Sequence, residues 1–550
     1  MERQGYSLGI DSSTQGTTAV LMNLSTNSVA AEAKVRYRDD PRLSGHGLME
    51  GQPLLRPREE GEADQPALLF LAALEAALSD LPGGLLSSVR SIAVSAQQHG
   101  QVWLGGAAKA AFAGLGSAGA GLPGSPGLAE RFAPALASER APIWMSSDTE
   151  KEAAELRDAA GGAGAMTELS GSDSPLRFSG AVLRHKALKE PEAYAACGRI
   201  HLISSFLAAV LSGNPDAPID WGNGAGMSLM DWRGRRWSAT LLDAAARGLP
   251  GGTEGLRSRL PALASPLEGV GTIAPYFSER FGLPRDALVI AGSGDNPQTK
   301  VLAAGSLLSL GTSFVLMAEG DKPHEGANAM YDGLGRPFLF GCRTNGALSW
   351  EAVRLAHGLG ADDFMACEKA LTAVPQGSVL RILQRERESF PVSPPLDLGA
   401  REGFDEDYAG AVDSALGLVR LGSAGFAPAP ASAASKGGPG AGGGREIAVT
   451  GGAASSDGIM RRIAAIWGRP AVRIEEAGAA AGAAVAAATA LVPAGERLAY
   501  AEQAAALVGR RGPRIEPSPS ALAAYHGADG YLARLAREAA RLGIEGLGAS

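Results

Sequence analysis

One carboxylate set among hydroxyls is the first chemical feature of this chain. Ser7–Met22 reads SLGIDSSTQGTTAVLM, and Ser309–Met317, SLGTSFVLM, repeats its outline more weakly. In each, apolar residues run into a short Gly/Ser/Thr turn and resume at once, which predicts strand, tight turn, strand. The first turn sets Asp11 beside Ser12, Ser13, Thr14, Thr17 and Thr18. Backbone N–H groups and hydroxyls can cradle phosphate oxygens while a carboxylate holds Mg²⁺, a hard ion that prefers oxygen ligands. Two such hairpins in one chain point to two related lobes gripping a nucleotide triphosphate between them.

Three further stretches carry polar groups at the ends of apolar runs. Leu288–Ala291 reads as a buried strand that delivers Gly292-Ser293-Gly294-Asp295-Asn296. Ligands of open α/β sheets collect outside the carboxyl ends of strands, and Asp295 there can accept a hydroxyl proton as general base or cap the helix that follows. Ser95–Gly100, SAQQHG, follows Ile92-Ala93-Val94 and offers the amides of Gln97 and Gln98 with the imidazole of His99. Such groups suit a polyhydroxylated ligand, although His99 alone also fits a structural histidine. Glu446–Asp457, EIAVTGGAASSD, reads as strand, diglycine and helix start, where a flat or anionic group can approach the backbone.

These motifs need a scaffold of strands and helices in alternation, and the chain supplies one of α/β type. Glu150–Ala160 has the alternating charges of an exposed helix, and Gly530–Leu542 closes the chain as a charged amphipathic one. Val412, Leu416 and Val419, and then Ile459, Ile463 and Ile466, recur at helical spacing and predict core-facing helices. A second lobe is expected to begin near Asp286, dividing the chain into 1–285 and 286–550. Gly105–Ser138 and Gly422–Gly444, rich in Gly, Ala, Pro and Ser, read as flexible surface insertions without chemistry.

The 550 residues suffice for two to four domains, with 45% apolar and 20% charged residues, as in soluble globular proteins. A net charge of −8 without a long basic block argues against nucleic acid or an anionic membrane surface as partner. Cys197, Cys342 and Cys367 lie far apart in no CxxC spacing, as expected of reduced thiols in the cytoplasm. The first predicted strand follows the N-terminus so closely that no signal peptide is expected, and no apolar run is long enough to span a membrane.

Taken in order, Gly9–Thr18, Gln97–Gly100, Ala141–Trp144, Arg177–Gly180, Asp220–Met227, Gly294–Asn296, Ser309–Ser313 and Thr450–Gly452 resemble the FGGY carbohydrate kinases. The PIWM, RFSG and PID…GAGM stretches make the chain most similar to xylulokinases of the eukaryotic type. The resemblance implies two ribonuclease-H-like (actin-type ATPase) lobes with sugar and ATP in the cleft between them. It implies ATP-dependent phosphorylation of a ketopentose, D-xylulose to D-xylulose 5-phosphate. A kinase for another polyol or ketose such as ribulose, or a non-catalytic sugar- or nucleotide-binding module derived from a kinase, are the alternatives.

Carried onto this sequence, the resemblance implies that Asp11 positions Mg²⁺, with Thr14, Thr17 and Thr18 near the transferring phosphoryl group. His99, Arg177, Asp295 and Asn296 hold the sugar, with Asp295 the catalytic base. Gly311 and Thr312 touch phosphates, while Gly451, Gly452, Ala453 and Ser456 border the adenosine. The rim departs from the family pattern. Relatives read WMDSST where this chain reads Trp144-Met145-Ser146-Ser147-Asp148-Thr149, and their sugar-side Asp before G(S/A)GM is Asn223 here. Phe314 ends the second hairpin in place of Asp, and Ala361 stands where an aromatic is commonly found near the adenine. The proposed base and Mg²⁺ ligand are retained.

Overall fold

Both hairpins form, each at the edge-to-centre transition of a mixed sheet. The structure, a computed structural model, describes residues 4–427, 446–475 and 478–547. Its contacts divide the chain into one unit of Met1–Leu302, Met330–Pro337 and Gly478–Val508, and a second of Ala303–Ala329, Phe338–Ala477 and Gly509–Ser550.

In the first unit, β1 (Tyr6–Ser12), β2 (Gly16–Asn23) and β3 (Val29–Arg36) are antiparallel neighbours. The tight turn between β1 and β2 is closed by the Ser13 N–H on the Gly16 carbonyl at 2.9 Å. Parallel to β1 runs β4 (Val89–Ala96). Beyond it lie β5 (Gly269–Thr272), β6 (Leu288–Ile290) and β7 (Ser293–Gly294), in the order β5-β6-β4-β1-β2-β3, with β7 also on β4. A central parallel strand is covered on both faces. Leu8 and Ile10 share one core cluster with Leu71 and Leu74 of helix Ala67–Asp80. On the other face Gly9 abuts the alanine-rich helix Ala479–Ala490, where a Cβ would collide with the Ala480 carbonyl and the Ala484 nitrogen. The run of small residues in that helix is therefore a packing surface for β1.

That contact also explains why the boundary expected at residue 286 is not the observed one. Residues 288–294 join β4 as parallel strands of the first sheet, and Gly478–Val508 returns to cover it. The expectation that Gly105–Ser138 is a flexible surface insertion is also overturned. Helices Ala108–Gly114 and Leu128–Phe132 form there, and Phe112, Leu115, Leu128 and Phe132 enter the first unit's core. Phe132 meets Phe112 edge-on at 5.0 Å, and Glu75 accepts the Leu128 N–H at 2.8 Å. A few well-spaced apolar residues anchor a stretch whose average composition reads as loop. At the second expected insertion, helix Phe404–Gly422 reaches its first residue, and 428–445 lie outside the described residues.

The second unit repeats the strand plan. β8 (Ser306–Leu310), β9 (Phe314–Glu319) and β10 (Pro337–Arg343) are antiparallel neighbours. β11 (Ile447–Thr450) and β12 (Ala471–Ile474) follow in parallel, and β13 (Arg511–Ile515) pairs antiparallel with β12. Ile459, Ile463 and Ile466 line the buried face of helix Asp457–Trp467, and Val412, Leu416 and Val419 that of Phe404–Gly422, as their spacing predicts. Among the described residues no helix is long and apolar enough to cross a membrane.

The anchoring of Gly105–Ser138 yields the first prediction. Leu128→Ala and Phe132→Ala should each lower the stability of the first unit by about 2–5 kcal/mol, since both leave cavities in a closed core. Removal of residues 106–134 should give an insoluble chain. Urea unfolding followed by far-UV circular dichroism checks the point variants, and midpoints equal to the parent's would return this stretch to the surface.

Candidate active site

Strand register brings the polar groups of the first unit to one level. Asp11 of β1 lies beside Ser95 of β4, and Ser95 lies beside Ser293 of β7. Ser95 Oγ donates to Asp11 Oδ1 at 2.7 Å. Burial pushes the Asp11 carboxyl up to about 6 against the opposing effect of that hydrogen bond. Asp295 follows β7 directly, in the first turn of helix Asp295–Val301. The cap of that helix is Gly294 and takes no side-chain bond, so Asp295 is not the capping residue. Its Oδ1 accepts the Asn296 N–H at 2.8 Å and Asn296 Nδ2 at 3.2 Å. Burial, and then the charge of Asp11, push the Asp295 carboxyl up to about 7. A carboxylate in that range takes protons near neutral pH, as a general base must.

The first hairpin sorts its hydroxyls by face. Asp11, Thr18 and Lys34 are direct cross-strand partners and share one face of the sheet. Ser12 and Thr17 share the other, where both hydroxyls meet Tyr37 Oη, at 2.9 and 3.1 Å. The expectation that Thr17 contacts the nucleotide is therefore overturned, because strand alternation buries its hydroxyl against Tyr37. Thr14 Oγ1 donates to Gln97 Oε1 at 3.0 Å and accepts from Trp144 Nε1 at 2.8 Å. Gln97 in turn donates to Gln65 Oε1 at 2.6 Å, and Gln65 Nε2 to the Thr14 carbonyl at 2.9 Å. Thr14 thus braces the turn through its side chain. Thr18 stays half-buried beside Lys34, whose side chain is 66% exposed and whose ammonium pairs with Glu32 at 3.0 Å. No motif singles out Lys34, yet counting back through the two hairpin registers would have placed it opposite Thr18.

The groups expected to hold a sugar lie partly together. His99, in a positive-φ conformation (71°), stacks on Phe178 at 4.5 Å and sets Nδ1 2.9 Å from the Gly226 carbonyl. Burial and the charge of Arg177 push the imidazole down to about 3. The ring is neutral; Nδ1–H donates to the carbonyl, which leaves Nε2 as an acceptor. Gln98 is buried, accepts from Asn296 Nδ2 at 3.1 Å, and directs Nε2 to Met330 Sδ at 3.6 Å. It fixes Asn296 and, through its backbone N–H, Asp295.

Asn223 has a different place from the one expected. It lies in the short helix Trp221–Ala225, with Nδ2 donating to Asp220 Oδ1 at 2.7 Å and to Ser204 Oγ at 2.9 Å. Both amide protons are spent inside the protein, and the carboxylate of this region is Asp220. Burial pushes that carboxyl up to about 6, against hydrogen bonds from Ser293 and Asn223.

In the second unit, β8 runs parallel to β11 with Ser309 beside Thr450, so the second hairpin and the diglycine turn are neighbours. Thr312 is exposed, and Gly311 donates to the Ser313 carbonyl at 3.1 Å. Gly451 has φ of 94° and lies against the Leu310 carbonyl, while Gly452 has open space where a side chain would be. Ala453 is half-buried. Ser456 caps helix Asp457–Trp467, accepting from the Ile459 N–H at 3.1 Å and donating to Glu368 Oε2 at 2.6 Å. Its hydroxyl is committed to the protein.

Two sheets of this plan, each with a glycine-bearing hairpin at its centre, define the two-lobed actin-type ATPase fold. Residues 139–301 match the FGGY family of carbohydrate kinases, N-terminal domain. The chain's relatives include xylulose kinase 2 of Arabidopsis thaliana, 33% identical over 314 residues, covering 56% of this chain and 53% of that protein. Xylulose kinase of Mus musculus is 35% identical over 327 residues, covering 58% of this chain and 55% of that one. The chain thus spans a little over half the length of these relatives. Among solved structures, xylulose kinase from Rhodospirillum rubrum aligns over 98% of this chain and 99% of its own with a TM-score of 0.76 at 18% identity, a likeness of fold.

The Asn223–Asp220 bond makes a prediction. Asn223→Asp would set two carboxylates against each other, and like charges in one site cannot both ionise cheaply. We expect a loss of about 1–3 kcal/mol at pH 8 and less at pH 5, where the pair retains a proton. Thermal unfolding at the two pH values checks this; equal losses would mean that charge repulsion is not the cause.

Proposed function

We propose that the chain is an ATP-dependent sugar kinase that phosphorylates the terminal hydroxyl of a ketopentose, with D-xylulose its substrate. The observation that carries this reading is Asp295, a carboxyl that burial raises to about 7, set at the strand ends with Asp11 and partly accessible to solvent. The FGGY domain and the xylulose kinases among the relatives support the substrate class.

In this reading Asp295 takes the proton of the sugar hydroxyl as its oxygen bonds to the γ-phosphorus and the bond to the β-phosphate oxygen breaks, releasing ADP. Phosphoryl transfer asks for positioning and charge neutralisation rather than covalent help. His99 accepts a sugar hydroxyl at Nε2, and Arg177 and Asn296 donate to others. The turn around Ser13 and Thr14 offers backbone N–H groups to phosphate, with Thr18 beside it. Gly311 and Thr312 offer the same from the second hairpin, and Gly451, Gly452 and Ala453 border the adenosine.

The donor set fits Mg²⁺. Asp11 Oδ2 takes no hydrogen bond among the described residues, and no group of three or more His, Cys, Asp or Glu there forms an all-protein metal cage. One carboxylate completed by substrate phosphates and water is how this ion is usually held. When bound, it neutralises charge on the transferring phosphoryl group.

Asp295→Asn should lower kcat by about 10²–10⁴ while the chain stays folded. The same substitution should raise thermal stability by a few degrees above pH 7. The folded carboxyl is raised well above its unfolded value, so its cost accumulates from about pH 4 to 7 and is absent below that window. For the parent, kcat/KM should rise with pH through about 7. An ADP-release assay with D-xylulose, D-ribulose and glycerol decides the substrate; no sugar-dependent ADP release from any ketose or polyol would refute the kinase reading. Asp11→Ala should impair use of Mg·ATP while calorimetric sugar binding without nucleotide stays within a few-fold of the parent's. Equal loss of both would remove Asp11 from the phosphate site.

A further inference from the structure

The turn that carries Asp295 is bonded to a carboxylate, Asp220, that has no role among the expected site residues. Asp220 is buried and ends the two-residue strand Ile219–Asp220. Its Oδ2 accepts the Gly222 N–H at 2.8 Å and the Asn223 N–H at 3.2 Å, and its Oδ1 accepts Asn223 Nδ2 at 2.7 Å. Capping the helix Trp221–Ala225 accounts for the two backbone bonds. It does not account for the fourth donor, Ser293 Oγ, which reaches Asp220 Oδ2 from 73 residues away in sequence.

Ser293 stands two residues before Asp295. The residue between them is pinned by the same pair, since a Cβ on Gly294 would lie 2.9 Å from Asn223 Oδ1 and would collide with Gln98. Ser293 and Gly294 thus meet β4 on one side and the Asp220–Asn223 pair on another. Among the described residues Asp220 has no Lys or Arg partner; hydrogen-bond donors compensate its buried charge. Each of those donors is thereby held tightly, because freeing one leaves a buried carboxylate under-satisfied.

We propose that Asp220 is a positioning residue for Asp295, acting through Ser293 Oγ and Asn223 to fix the turn on which the base sits. This rests on the reading of Asp295 as the base. The geometry separates it from a capping role, because Ser293 contributes nothing to the cap. Ser293→Ala cuts the link and leaves the Asp220–helix bonds intact. Asp220→Asn alters both, and serves in a double-mutant cycle with it.

Ser293→Ala should lower kcat by about tenfold or more, with the sugar and ATP KM values within about twofold and the unfolding temperature near the parent's. The double variant should be no slower than Asp220→Asn alone. A readout without turnover is the ¹³Cγ titration of Asp295 in aspartate-labelled protein, assigned by its loss in Asp295→Asn. Its midpoint, expected near 7 in the parent, should move by at least half a pH unit in Ser293→Ala. A parent without sugar-dependent ADP release refutes the kinase reading alone, and the titration still tests the positioning. An active parent whose kcat and Asp295 midpoint are both unchanged by Ser293→Ala overturns the proposal, as does a cycle in which the two losses multiply.

Discussion

The parallel register of β1, β4 and β7 is the constraint on which the candidate site depends. Asp11, Ser95 and Ser293 are level because those strands are in step, and Asp295 follows from that level. A slip of β1 by one residue would turn Asp11 toward helix Ala67–Asp80 and bring Ile10 to the polar side. Two packing facts oppose the slip: Leu8 and Ile10 are fully buried on one face, and Gly9 lies against Ala480 and Ala484 on the other. No other residue fits where Gly9 meets the alanine helix. The chemistry at the strand ends is thus secured by apolar packing along the strand bodies.

The same arrangement decides how negative charge is carried. Asp11, Asp220 and Asp295 are held by hydroxyl or N–H donors, and none forms an ion pair among the described residues. Burial therefore leaves their carboxyls raised to about 6, 6 and 7. The contrast is Asp413 in the second unit, which pairs with the equally buried Arg462 at 2.9 Å and accepts from Tyr525 Oη. A salt bridge of that kind fixes a core but removes a carboxylate from proton chemistry. Leaving Asp295 without a cation keeps its proton exchangeable near neutral pH.

What was legible in the sequence follows from how local each signal is. Asp11, Asp295 and the diglycine turn sit at ends of apolar runs, so a window of a dozen residues suffices to find them. The alternation that hides Thr17 is equally local, and applying it to β2 separates Thr17 from Thr18. Gly105–Ser138 misleads because composition averages over the few residues that matter: Phe112, Leu115, Leu128 and Phe132 find their partners on helix Ala67–Asp80 and its neighbours, far off in sequence. Asp220 and Ser293 are further from reach. Their bond joins residues 73 apart, and neither lies in a periodic pattern that would have flagged it. Asn223 reads as a rim residue until its amide is seen to be occupied by Asp220 and Ser204.

The two hairpins share a plan and differ in chemistry, and the difference is written in which positions carry side chains. The first puts a carboxylate one residue before the end of β1 and a hydroxyl opposite it in β2. At the matching level of the second, Ser309 faces Val315, and Phe314 turns into the core against Trp350 at 4.8 Å. With no acid to hold a metal and no hydroxyl across the ladder, the second hairpin offers backbone N–H groups and the exposed Thr312, beside the open face of Gly452 in the neighbouring diglycine turn. Backbone donors suit phosphates and the flat edges of a nucleotide, for which neutral, fixed dipoles suffice. The carboxylates, which a proton-accepting and metal-holding role requires, are gathered in the first unit. One strand plan used twice thus yields two kinds of site, because the side chains at and beside the two turns differ.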